Sequence, residues 1–183
     1  MTMSSRKTPE IRAFAKTLLM LLAFALVAAA AAANAHAQAT TVIVVRHAEK
    51  VDDSSDPLLS EAGRARAVAL ADALADANVE VVLTTQYQRT RLTGAVVAER
   101  AGVTPQLVPA ANPMQDHLRA LADIVQAKAG RTILIVGHSN TVPLIVRALG
   151  GPDVGTIADS EYDNLFLLTL APGVAPKLVR AKY

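Results

Sequence analysis

From residue 42 onward the apolar positions follow two periods. Val42-Ile43-Val44-Val45 and Ile133-Leu134-Ile135-Val136 are uninterrupted apolar runs, the pattern of strands buried on both faces. Ala67, Leu70, Ala71 and Leu74 fall at i, i+3, i+4 and i+7, which predicts a helix over 61–77. Val79 to Thr84 predicts a second strand, 89–101 a helix ending at Gly102, and Gln106-Leu107-Val108 a short third strand. Leu118, Leu121, Ala122 and Val125 share a helical face ahead of Gly130, and 142–149 reads as a helix that stops at Gly150-Gly151-Pro152. Leu165 to Leu170 and Lys177 to Ala181 read as strands around a Pro172-Gly173 turn. This alternation predicts an α/β fold: a three-layer α/β/α sandwich with a mostly parallel central sheet and an antiparallel edge strand.

The first 37 residues follow a different pattern. Arg6, Lys7, Arg12 and Lys16 precede an uncharged run from Thr17 to Ala33, and Ala35-His36-Ala37 supplies an A-x-A site. This reads as a signal peptide over 1–37, cleaved before Gln38, rather than a retained anchor. Export to a periplasmic or extracellular space follows, with no stable membrane association after cleavage. Residues 38–183 then form one domain, long enough to bury a core.

Removing the leader changes the charge. It holds four of the 18 Lys and Arg and one of the 16 Asp and Glu, so the remainder carries 14 against 15. The basic character belongs to the leader, and scattered cations with 3% aromatic residues give no nucleic-acid surface. The chain has no cysteine, which excludes disulfides, thiolate metal sites and cysteine nucleophiles.

Two histidines occupy matching contexts. His47 follows Val42–Val45 through Arg46, and His138 follows Ile133–Val136 through Gly137. Parallel neighbouring strands would deliver both to the carboxyl edge of the sheet, where ligands of open α/β folds collect. Arg89 lies just after the Val79–Thr84 strand, where a helix begins. A planar guanidinium there suits phosphate oxygens, and the helix terminus adds donors.

Arg46-His47-Ala48-Glu49, Leu59-Ser60-Glu61-Ala62-Gly63, the Thr85-x-x-x-Arg89-x-x-x-Thr93 spacing and Gly137-His138-Ser139-Asn140-Thr141-Val142-Pro143 come in a telling order. From about Val42 to Leu170 the chain resembles the histidine phosphatase superfamily, the phosphoglycerate-mutase-like fold. The resemblance implies a metal-independent phosphoric ester hydrolase without cofactors that acts on a small phosphorylated substrate. In it His47 would be the phosphorylated nucleophile, with Arg46, Arg89 and His138 around the phosphoryl group. Neighbouring guanidinium charges would keep His47 neutral and stabilise the transferring group.

The sequence departs from that family in places. Ala48 stands where glycine usually follows the histidine, and Gly94 where alanine is common. Val103 to Gln115 contains no carboxylate, although many members carry a glutamate there, and Ser139 replaces the aspartate of the acid-phosphatase branch. The leaving-group acid is therefore unassigned. Asp116 is the nearest substitute, with a helix-N-terminal charge as its plain alternative. Glu49 is a candidate acid or a loop-ordering residue. Glu161-Tyr162-Asp163-Asn164 either closes over the site or is a polar turn, and His117 receives no role.

Other chemistries fit less well. Gly137-His138-Ser139-Asn140-Thr141 lacks the fifth-position glycine and the later histidine of a serine-hydrolase elbow. His47-Ala48-Glu49 imitates a zinc deaminase element whose cysteine partners are absent, and Arg46 would repel a metal held by His47, His117 and His138. The remaining alternatives are a phospho-ligand binding protein without turnover, and a phosphomutase.

Overall fold

The computed structural model describes residues 39–183 together with Met20. The leader predicted over 1–37 lies outside the described residues. Among those described, no helix is long and apolar enough to cross a membrane.

Six strands form one sheet: β1 (Thr40–Arg46), β2 (Val81–Thr84), β3 (Gln106–Leu107), β4 (Thr132–Gly137), β5 (Asn164–Leu170) and β6 (Lys177–Lys182), in the order β3-β2-β4-β1-β5-β6. β1, β2, β3 and β4 run parallel, β5 is antiparallel to β1, and β6 is antiparallel to β5. A single strand therefore opposes the other five, and it sits inside the edge with β6 outermost.

Alternate residues of the central strands face different helices. Val42, Val44, Ile133 and Ile135 share a core with Leu121 and Val125 of α3 (Met114–Ala127) and with Val142, Ile145 and Val146 of α4 (Val142–Ala148). Ile43, Val45, Leu134 and Val136 pack instead on Leu70 and Ala71 of α1 (Glu61–Ala73) and on Val97 and Ala98 of α2 (Gln88–Ala101). This is the three-layer α/β/α sandwich expected of doubly buried strands. Each such Val, Ile or Leu stabilises the fold by ~1.5–3 kcal/mol relative to its exposed state.

Several boundaries differ by one or two residues, among them β2, which starts at Val81 and not Val79, and the first helix differs by more. The helix predicted over 61–77 ends at Ala73, and residues beyond it close as turns, with Ala75 N–H donating to Asp72 O and Ala77 N–H to Leu74 O. Leu74 still reaches the core, so its apolar periodicity outlasts the helix. Asn78 then takes φ 49°, a left-handed conformation that asparagine tolerates and that turns the chain toward β2.

Register is what positions the site. β1 and β4 are neighbours, and Arg46 pairs with Gly137. The residues that follow, His47 and His138, therefore leave the sheet side by side, and His47 N–H donates to Gly137 O at 2.9 Å.

Candidate active site

His47 is buried at the end of β1, and its Nδ1 lies 2.8 Å from Ala48 O. A carbonyl can only accept, so Nδ1 carries the proton and Nε2 keeps a free lone pair. Burial lowers the His47 pKa to about 4, with Arg46, Arg89 and Lys50 pushing the same way and the Ala48 carbonyl opposing them. The ring is neutral near pH 7, and desolvation outweighs the guanidinium charges as the cause.

The next backbone group is tied to the second arginine. Ala48 N–H donates to Thr93 Oγ1 at 2.9 Å, and the same hydroxyl donates to Arg89 O at 2.7 Å. Thr93, on α2 and fully buried, thus couples the chain after His47 to the helix turn that carries Arg89. Gly94 lets α2 come close, because a Cβ there would lie 3.0 Å from Thr84 Cγ2 and 3.1 Å from Val82 Cγ1. The methyl of Ala48 is accommodated in a small cluster with Leu59 and Ala67.

His138 stands with its ring centroid 5.3 Å from that of His47, edge to face. Thr85 Oγ1 lies 3.2 Å from His138 Nε2 and 2.8 Å from Thr90 Oγ1. Either hydroxyl can donate to the other, so Nε2 has a partner in both neutral tautomers. Burial and the charges of His47 and Arg89 lower the His138 pKa to about 3. Thr141 fixes the backbone, its Oγ1 accepting from His138 N–H at 2.9 Å.

Arg46 reaches across 112 residues or more. Its Nη1 donates to Ala158 O at 2.8 Å, Asp159 O at 3.1 Å and Glu161 O at 3.0 Å, and its guanidinium carbon lies 4.0 Å from the centre of the Tyr162 ring. Its Nε is buried without a partner. Arg89 points its Nη1 at Ser55 O, 3.4 Å away, and at Asp56 Oδ1, 4.0 Å away, with its guanidinium over Tyr87.

Arg46, His47, Arg89 and His138 line one cavity of about 750 Å³, together with Lys50, Asp53, Ser54, Tyr87, Ser139, Asn140, Asp159, Tyr162 and residues of the turn before α3. The four residues singled out from sequence as nucleophile and phosphate ligands thus meet. Asp116 and Glu49 are absent from the lining. Asp116 sits in the first turn of α3, 3.9 Å from Arg119. The Glu49 carboxylate takes Arg66 Nε at 2.7 and 2.9 Å and Nη2 at 2.6 Å, and despite partial burial this pairing holds its pKa below the ordinary value. It orders the loop as an ionised group.

The segment 161–164 divides its roles: Tyr162 faces the cavity, while Glu161 secures its own turn by accepting from Ala158 N–H at 2.8 Å. His117, given no role from sequence, is buried, with Nδ1 donating to Pro109 O at 2.9 Å. Among the described residues no three His, Asp or Glu side chains are grouped to hold a metal. Sequence reasoning gave no role to Thr90 or Lys50 and used Thr85 only as a motif position. Both threonines belong to the polar stretch from Thr85 to Thr90, a signal that only the His138 contact makes specific.

A family model described as the histidine phosphatase superfamily (branch 1) matches residues 30–115. Over that segment the chain is similar to the histidine phosphatase superfamily. Solved structures of similar fold include a mycobacterial hydrolase, at 16% identity and TM-score 0.65 over 80% of this chain and 100% of that one. The protein histidine phosphatase SixA complexed with tungstate has 17% identity and TM-score 0.62, covering 78% of this chain and 96% of that one. A mycobacterial glucosyl-3-phosphoglycerate phosphatase has 14% identity and TM-score 0.59, covering 77% and 97%. At these identities the likeness is one of fold. No curated protein matches the sequence at a significant level. The family match supports phosphatase activity in general.

Proposed function

We propose that this chain is a histidine phosphatase superfamily member that hydrolyses a small phosphorylated substrate through a phosphohistidine on His47, without a metal or cofactor. The observation that carries the proposal is the His47 tautomer: Nδ1 committed to the Ala48 carbonyl and Nε2 left as a neutral nucleophile on a cavity that two arginines also line. In the first step Nε2 attacks phosphorus, the N–P bond forms and the P–O bond to the leaving group breaks. Arg46 and Arg89, which both line the cavity, stabilise the equatorial oxygens. In the second step water attacks phosphorus, the N–P bond breaks, inorganic phosphate leaves and His47 returns to its starting state.

The lining carboxylates are Asp53 and Asp159, both with fully solvated side chains. Leaving groups that need little protonation, such as phosphohistidine, acyl phosphate or phosphoanhydride, suit such a site best. The basic and apolar leader with Ala35-His36-Ala37 supports export to the periplasm or beyond.

Incubating the exported form with p-nitrophenyl phosphate tests the reading. Phosphate release, an acid-labile phosphoryl-enzyme and loss of both in His47→Ala are expected. Tight phosphate binding with no turnover between about pH 4 and 8, the range spanning histidine ionisation, would make the protein a binder. Activity lost on chelation and restored by zinc would overturn the metal-free mechanism.

A further inference from the structure

Three cations line the cavity, one more than the phosphoryl group engages. Arg46 and Arg89 flank His47, while Lys50 belongs to neither the nucleophile nor the phosphate pair. Its backbone is fixed where a hairpin begins: Lys50 and Leu59 form an antiparallel bridge, and Val51 N–H donates to Leu58 O at 3.0 Å. The side chain is about one-third exposed, and its ammonium pairs with Asp53, whose carboxylate is almost fully in water. Solvent screens such a pair, and an entering anion can displace the carboxylate.

The cavity extends well beyond a phosphoryl group. Its volume of about 750 Å³ falls within the range of sites that enclose whole small molecules. A lysine offers a compact charge on a flexible stem, suited to carboxylate or phosphate without the planar match an arginine demands.

We propose that Lys50 determines specificity by binding a second anionic group, a carboxylate or another phosphate, on the leaving-group side of the substrate. The preferred substrates are then phosphorylated acids or phosphoanhydrides, and not phosphate esters of neutral alcohols. This rests on the phosphatase reading above.

The test compares glycerol 2-phosphate, phosphoglycolate and pyrophosphate on the wild type, Lys50→Met and Lys50→Arg, with thermal melting to establish that the variants fold. The wild type should favour phosphoglycolate or pyrophosphate over glycerol 2-phosphate by about tenfold or more in kcat/KM, a ratio one partly desolvated charge pair supplies. Which of the two is favoured distinguishes carboxylate from phosphate. Lys50→Met should bring the ratio near unity, and Lys50→Arg should retain most of it. A wild type with no preference, or a Lys50→Met variant that loses activity equally on all three, overturns the assignment. Absence of turnover on every substrate overturns the phosphatase reading instead. The same comparison is then made by calorimetric affinity, where equal binding of glycerol 2-phosphate and phosphoglycolate by the wild type also overturns Lys50's role.

Discussion

Gly63→Ala perturbs the point where α1 meets the chain just beyond His47. A Cβ at Gly63 would lie 2.1 Å from Glu49 O and 3.0 Å from Glu49 N, where ordinary contact begins near 3.4 Å. That carbonyl also accepts from Ser60 N–H at 3.0 Å, and Ser60 Oγ in turn accepts from Gly63 N–H at 3.0 Å. The contact must therefore open by more than 1 Å, moving either the helix start or the segment from His47 to Lys50. In an exposed helix, alanine would add ~1 kcal/mol over glycine. Here overpacking of ~1–3 kcal/mol or more should exceed that gain. A net loss of about 2 kcal/mol would lower Tm by about 4–8 °C in a domain of this size. A 1 Å displacement beside the reacting atom should reduce kcat/KM by as much as ~100-fold. Urea unfolding and p-nitrophenyl phosphate kinetics measure the two effects. A Gly63→Ala protein at least as stable as the wild type, with unchanged kcat/KM, would refute the reasoning.

Further outcomes follow from other parts of the site. Thr93→Val leaves the buried Ala48 N–H without an acceptor and should cost about 1–3 kcal/mol in urea unfolding, whereas Thr93→Ser should lose less than about 1 kcal/mol; equal losses would remove the hydroxyl from the account. His47 and His138 have native pKa values lowered to about 4 and about 3, so the unfolded chain binds protons first as pH falls. Stability should be flat above about pH 7 and decline from about pH 6.5 toward 4, with a slope approaching ~1.4 kcal/mol per pH unit for each histidine. His47→Gln should reduce that slope, and stability unchanged between pH 7 and 5 would contradict the burial argument. Glu49→Gln should lower stability by ~0.5–1 kcal/mol through its pair with Arg66 and leave both limbs of the pH–rate profile in place; loss of one limb would restore Glu49 as an acid.

The central strands were legible because both faces of β1 and β4 are covered, which forces continuous apolar runs into the sequence. Those strands also carry His47 and His138, and parallel pairing in register brings the rings together. Contacts that depend on distant loops left no local trace. Nothing near Arg46 announces that its guanidinium holds three carbonyls beyond residue 157. The helical period through Leu74 hides the end of α1 at Ala73, since a turn residue can face the same core. Nothing local to Glu49 distinguishes a candidate acid from a loop-ordering residue, because its partner Arg66 lies 17 residues on.

The Arg46 bonds have a consequence for how the protein matures. Strand β1 is among the first described elements of the chain, yet its arginine takes its backbone partners from a turn that lies after every helix described. β1 also gains its second neighbour only when β5 arrives. During synthesis His47 therefore emerges long before its surroundings can close, and a chain truncated before residue 158 would hold His47, Arg89 and His138 with Arg46 untethered. Under the proposed activity, turnover would report completion of the C-terminal segment, and a partly made or clipped molecule should be silent and not promiscuous.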